Sequence, residues 1–125
     1  MPLKRQSFDL ICVLDFEATC DTEGRMRRTD MEIIEFPSVL IDSSTMEVVD
    51  EFQRFVTPLK YGVSPFCTEL TGITQQTIDE NGRPFLEVLQ EHQEWLRSHT
   101  GSTKSVIVLT CGDWDLKTML PIQVG

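Results

Sequence analysis

The 125-residue sequence predicts one α/β domain, a mixed sheet with helices packed on it. Three observations lead there. Apolar runs of strand length open the chain and return near its end. Segments with helical periodicity and recognisable caps lie between them. The order of elements is three strands, helices, a strand and a further helix, which fits neither an all-β nor an all-α arrangement.

"DLICVLDF" is the first strand; being nearly all apolar, it is expected to be buried on both faces. Residues 1–7 read as an N-terminal tail before it. "DTEGRMRRTD" is a polar loop. "EIIEFPSVLID" is the second strand, in which Pro37 cannot donate to a ladder and so demands a bulge or pairing on one side only. "DSST" is a turn, making the second strand and the third, "EVVDEFQRFV", a hairpin.

The pattern then turns helical. "SPFCTELTG" offers Ser64 as N-cap, Pro65 at the first helical position and Gly72 as the stop. "TQQTIDENG" is a short helix capped by Thr74. In "PFLEVLQEHQEWLRSHTG", Phe85, Val88, Leu89, His92, Trp95 and Leu96 recur at helical spacing, and Gly101 ends the run. "KSVIVLTC" is a fourth strand, expected beside the first, and "GDWDLKTML" begins another helix.

Composition narrows the function classes. A net charge of −9 and a pI near 4.6 argue against a broad basic face for nucleic acid, though not against a small site that grips a nucleic acid end through metal ions. The basic residues Arg25, Arg27 and Arg28 are a candidate phosphate contact or simply a solvated loop. Cys12, Cys20, Cys67 and Cys111 form neither a disulfide framework nor a zinc pattern, so free thiols in a reducing compartment are expected. The start of the chain has no apolar signal core, and "LICVL" is too short to cross a bilayer. These readings give the expectation of an intracellular protein, cytoplasmic or nuclear, away from membranes.

The chemistry concentrates at "VLDFEATC". Residues i and i+2 of a strand share a face, so Asp15 and Glu17 project together while Phe16 points into the opposite layer. Two like charges in an apolar run call for compensation, and a cation is the simplest source. The fourth strand ends in "TCGDWD", bringing Asp113 and Asp115, the latter in the first turn of the next helix. Oxygen ligands without His or Cys suit Mg²⁺ or Mn²⁺. Paired metals about 3.5–4 Å apart serve phosphoryl transfer. The opposing interpretation is that these acids are solvated strand ends.

"VLDFEATC", "EIIEFPSVLI", "PFCTELTGIT" and "VLTCGDWDLKTMLP" follow in the order and form of the enhanced-RNAi-type (ERI) 3′→5′ exoribonucleases. That family belongs to the DEDDh group of ribonuclease H-like nucleases, and the third ERI-like subgroup resembles this chain most. The resemblance runs over about residues 8 to 123. It implies a ribonuclease H-like mixed sheet flanked by helices, here truncated before the last strand and helix, so that residues 1–125 form an incomplete exonuclease domain. It further implies two-metal hydrolysis of terminal phosphodiesters at a single-stranded RNA 3′ end, with release of 5′-monophosphates. Asp15 would bridge two Mg²⁺ (or Mn²⁺) ions, Glu17 would bind the first and touch the terminal ribose, and Asp115 would serve the second; Asp113 does not match a ligand position. Ala18 and Thr19 would contact the terminal nucleotide. Phe66, Leu70 and Thr71 would line its base pocket, and Trp114 would stack on the base. For Phe66 and Leu70, one helix turn apart, core packing is an equal alternative. Glu32 and Glu35 are expected to be a solvent-facing acid and an acid behind the ligands, respectively.

One part of the family pattern is missing. The resemblance calls for His-x-x-x-x-Asp on a later helix, the His as general base. Here Arg97 follows His92 at that spacing and Lys104 follows His99. His92 is expected in the core or at its boundary, and His99 at a helix end, where a cation complements the dipole. The chain alone is therefore expected to be inactive or nearly so. The alternative is a non-catalytic module that binds RNA ends or a protein partner.

Overall fold

The computed structural model describes residues 7–22, 25–110, 120 and 123. The strands are β1 (Leu10–Leu14), β2 (Glu17–Ala18), β3 (Ile33–Asp42), β4 (Val48–Phe55) and β5 (Val106–Thr110). Helices among the described residues include α1 (Pro65–Thr71), α2 (Gln75–Asn81) and α3 (Phe85–Thr100), and a 3-10 turn spans Arg28–Asp30. The expected mixed sheet is present. β3 pairs antiparallel with β4 on one side and with β1 and β2 on the other, while β5 runs parallel to β1.

Pro37 explains a break in this sheet. The β1 ladder ends at Leu14↔Ser38 and the β2 ladder begins at Glu17↔Glu35. Pro37 lies in the gap between them and keeps its pairing with Gln53 of β4 on the other side. Of the two solutions open to a strand proline, pairing on one side is the one used. Opposite the gap sit Asp15 and Phe16, and a register shift at Glu17/Ala18 re-aims the chain just after it.

The caps form as the sequence dictates. Ser64 Oγ accepts from Cys67 N (3.0 Å), Pro65 occupies the first turn, and Gly72 stops α1 at φ 79°, a conformation that favours glycine. Thr74 Oγ1 accepts from Thr77 N at the start of α2 (3.1 Å).

One face of the sheet carries the main core. Leu14, Phe16, Ala18, Ile33, Phe36, Phe52 and Val56 pack with Phe85 and Val88 of α3, and Leu120 joins them. Phe16 meets Phe36 edge-on at 4.7 Å between centroids. His92 is buried among Phe36, Phe52 and Trp95, and shares a 2.7 Å hydrogen bond with Ser38 Oγ. Burial pushes its pKa down to about 4, so it is a neutral core histidine at physiological pH. His99 stands in the last turn of α3 and binds Asp50 Oδ2 at 2.9 Å.

The expectation of a first strand buried on both faces is corrected. Leu10, Cys12 and Leu14 are buried, but Val13 is exposed and Ile11 only half-buried. α3 covers the first set through Trp95 and Leu96. Among the described residues no hydrophobic cluster covers the Ile11–Val13 side.

Candidate metal and nucleotide site

Asp15 follows the last residue of β1, and Glu17 opens β2 after the break. Phe16 between them is buried, so the two acids share the other face, as the alternation requires. The sequence suggested buried acids in an apolar run; the structure leaves Asp15 exposed and Glu17 half-buried. The break beside Pro37 frees Asp15 from the ladder. Glu17 lies opposite Glu35 across the antiparallel pair, with both half-buried. Gln53 Nε2 donates to Glu35 Oε2 (2.9 Å), which gives Glu35 a partner behind the acid pair.

Asp113, Trp114 and Asp115 lie outside the described residues. The described residues on either side of them are anchored close to the acids. Thr110 pairs with Leu14, immediately before Asp15. Gln123 Oε1 accepts from Ile33 N at 2.9 Å, and Ile33 is the register partner of Ala18. Among the described residues alone, no group of three or more His, Cys, Asp or Glu side chains is close enough to hold a metal ion. Asp15, exposed, and Glu17, half-buried, are nonetheless carboxylates of the right chemistry for a hard divalent ion.

Ala18 and Thr19 are buried. Thr19 Oγ1 accepts from Glu32 N (2.9 Å) and Thr19 N donates to Glu32 O (2.8 Å), so the threonine hydroxyl is committed to the sheet. On α1, Phe66 is 40% and Leu70 69% exposed, and with Glu69 they line a shallow cavity. Core packing is therefore not what they do. Thr71 Oγ1 donates to Cys67 O and accepts from Ile73 N, closing the helix end. α1 is tied to the acid strand through Ser64, whose hydroxyl donates to Cys20 O at 2.7 Å, and through Cys67 Sγ, which donates to Ala18 O at 3.4 Å. Cys12, Cys20 and Cys67 are free thiols. Burial, together with the Cys67 thiol and the charges of Glu17 and Asp21, pushes the Cys20 thiol up to about 12.

Glu32 corrects an expectation. It is not solvent-facing. Its carboxylate is buried and accepts from Leu59 N (2.9 and 3.0 Å) and Lys60 N (2.8 Å). Nothing local in the sequence announces this, because the donors are backbone groups 27 and 28 residues away. Arg27 and Lys60 both contact Asp30, each at 3.5 Å.

The Exonuclease family profile matches residues 12–125. The chain is 44% identical over 128 residues to ERI1 exoribonuclease 3 of Mus musculus, covering 98% of this chain and 36% of that protein. It is also 44% identical over 118 residues to 3′-5′ exoribonuclease 1 of Mus musculus, covering 93% and 34% respectively. It thus spans about a third of the length of these relatives. Among solved structures it superposes on the nuclease domain of 3′hExo, a DEDDh family member bound to rAMP, with a TM-score of 0.85 and 40% identity over 96% of this chain and 60% of that one. Cell-death related nuclease 4 matches with a TM-score of 0.83 and 26% identity, over 94% of this chain and 40% of that one. Both the fold and the sequence place the chain in one group: it belongs to the DEDDh exonuclease family, a metal-dependent family, and within it is similar to the ERI-type exoribonucleases.

Proposed function

We propose that this chain carries the metal-holding and 3′-end-binding part of a metal-dependent 3′→5′ exoribonuclease. The observation that carries the proposal is the break between β1 and β2. It puts Asp15 and Glu17 on one face, and the chain on both sides of Asp115 is anchored beside Leu14 and Ile33. Asp15, Glu17 and Asp115 are the proposed ligands of two Mg²⁺ or Mn²⁺ ions. When bound, such a pair activates water and neutralises charge at the leaving oxygen.

The remaining residues bind and orient. Phe66 and Leu70 present an apolar surface to the terminal base, and Ser64 and Cys67 hold α1 against the chain from the end of β2 at Ala18 to Cys20. Trp114 is proposed to stack on the base. RNA is the proposed substrate because the relatives' names are those of exoribonucleases.

Water activation needs a base, and neither histidine of this sequence supplies one. His92 is enclosed with Ser38 in the aromatic core, and His99 is held by Asp50 at the far end of α3. This favours end binding with little turnover by these 125 residues alone. The test uses 5′-labelled single-stranded RNA in Mg²⁺, with a free or a phosphorylated 3′ end. Tighter binding of the free end, with slow or no shortening, is expected, and Asp15→Asn should remove the preference. Equal binding of both RNAs, or a preference that survives Asp15→Asn, contradicts the proposal.

A further inference from the structure

The segment joining β4 to α1 exposes large apolar side chains on a rigid frame. Leu59 is 89% and Tyr61 49% exposed. They are not on a loose loop. Thr57 N donates to Arg83 O (3.0 Å) at one end, Val63 N donates to Gln75 Oε1 (2.7 Å) at the other, and the buried Glu32 carboxylate grips Leu59 N and Lys60 N between. An aromatic ring and a leucine held out in water on a hydrogen-bonded frame are open to contact with a ligand.

Charge indicates the partner. The chain has a net charge of −9 and 11 Lys and Arg residues. Four of these, Arg25, Arg27, Arg28 and Lys60, lie in this segment and the loop it touches: Lys60 Nζ donates to Thr29 O (3.3 Å) and pairs with Asp30, which also pairs with Arg27. The Arg27 side chain is 88% exposed. Cations at Lys60, next to Tyr61 in the chain, and at Arg27, which shares Asp30 with Lys60, on an otherwise acidic protein, suit a polyanion with stackable faces.

Position indicates which part of it. Glu32 joins the segment to Thr19 through a reciprocal pair of hydrogen bonds, one residue from the β2 end. Resting on the 3′-end reading above, we infer that Leu59, Lys60 and Tyr61, with Arg27, form a second RNA contact. It engages nucleotides upstream of the terminal one, with Tyr61 stacking on a base and Lys60 and Arg27 meeting phosphates. Glu32 is its positioning residue.

The test measures binding of 5′-fluorescein-labelled oligouridylate and of UMP to the full chain in Mg²⁺, with RNA length checked afterwards on a gel. Tyr61→Ala should weaken oligouridylate at least ~5-fold and leave UMP unchanged, while Tyr61→Phe retains binding. Lys60→Gln should reduce the slope of log affinity against log salt by about 0.7, the value for one phosphate on a single strand. If Tyr61→Ala and Lys60→Gln leave oligouridylate unaffected while Phe66→Ala weakens UMP, the second contact is wrong and the 3′-end site stands. If the unmodified chain binds neither ligand, both fall.

Discussion

Glu17 of β2 and Glu35 of β3 stand directly opposite each other in antiparallel register, one residue beyond buried Phe16. Like charges in that relation destabilise a strand pair by a few tenths to about 1 kcal/mol. The repulsion is useful where a cation is to be bound. Glu17→Gln should therefore raise the thermal midpoint of the metal-free chain by roughly 1–4 °C. The same change should reduce whatever stabilisation Mn²⁺ provides. A lower metal-free midpoint for Glu17→Gln would show that the pair is not under repulsion.

His92 should make the fold acid-sensitive. Its folded pKa is about 4, below the ordinary value of 6.5, because burial disfavours the imidazolium. The unfolded chain therefore binds the proton first. Stability is complete above about pH 6.5 and declines as pH falls towards 4, by up to about 3 kcal/mol if the whole shift is realised. Urea midpoints across that window should follow this slope, and the double variant Ser38→Ala/His92→Leu should flatten it. A slope unchanged in the double variant would assign the acid sensitivity to other groups.

Gln123 should matter more than its place so near the end of the sequence implies. Its side-chain oxygen satisfies Ile33 N, and Ile33 is fully buried. Gln123→Ala leaves that donor unpaired, at a cost of about 1–3 kcal/mol. Chemical denaturation should register the loss, and metal affinity should fall with it because the tether of the Asp115 segment is cut. Unchanged stability would mean that Gln123 does not hold the segment.

Glu32 should behave as a structural acid. Glu32→Gln keeps the size but replaces one acceptor oxygen with a donor facing backbone N–H groups of Leu59 and Lys60. Faster proteolysis between Thr57 and Val63 is expected, with α3 still protected. Proteolysis at the unmodified rate would show the loop to be held by Arg83 and Gln75 alone.

Much of this was legible from local chemistry. The caps at Ser64 and Thr74, the stop at Gly72 and the β3–β4 hairpin depend on neighbours in sequence, and all form as expected. Pro37 called for a bulge or one-sided pairing; the structure uses the second, and the pairing it lacks opens the gap that frees Asp15. The burial of β1 was misread because an apolar run does not say whether both faces find partners; Val13 is exposed. Glu32 was misread because its partners are distant backbone donors, which no side-chain pattern reveals. Leu59 and Tyr61 were passed over because one apolar residue in a loop is ordinary until the frame that holds it out is seen.

The most direct measurement is a calorimetric titration of Mn²⁺ into the chain and into Asp15→Asn. Asp15 is exposed at the sheet break, so the substitution should leave the fold intact, which circular dichroism checks. Saturable binding to the unmodified chain, abolished in Asp15→Asn, is the expected result. Absence of binding, or binding that Asp15→Asn leaves unchanged, would contradict the assignment of these acids as a metal site.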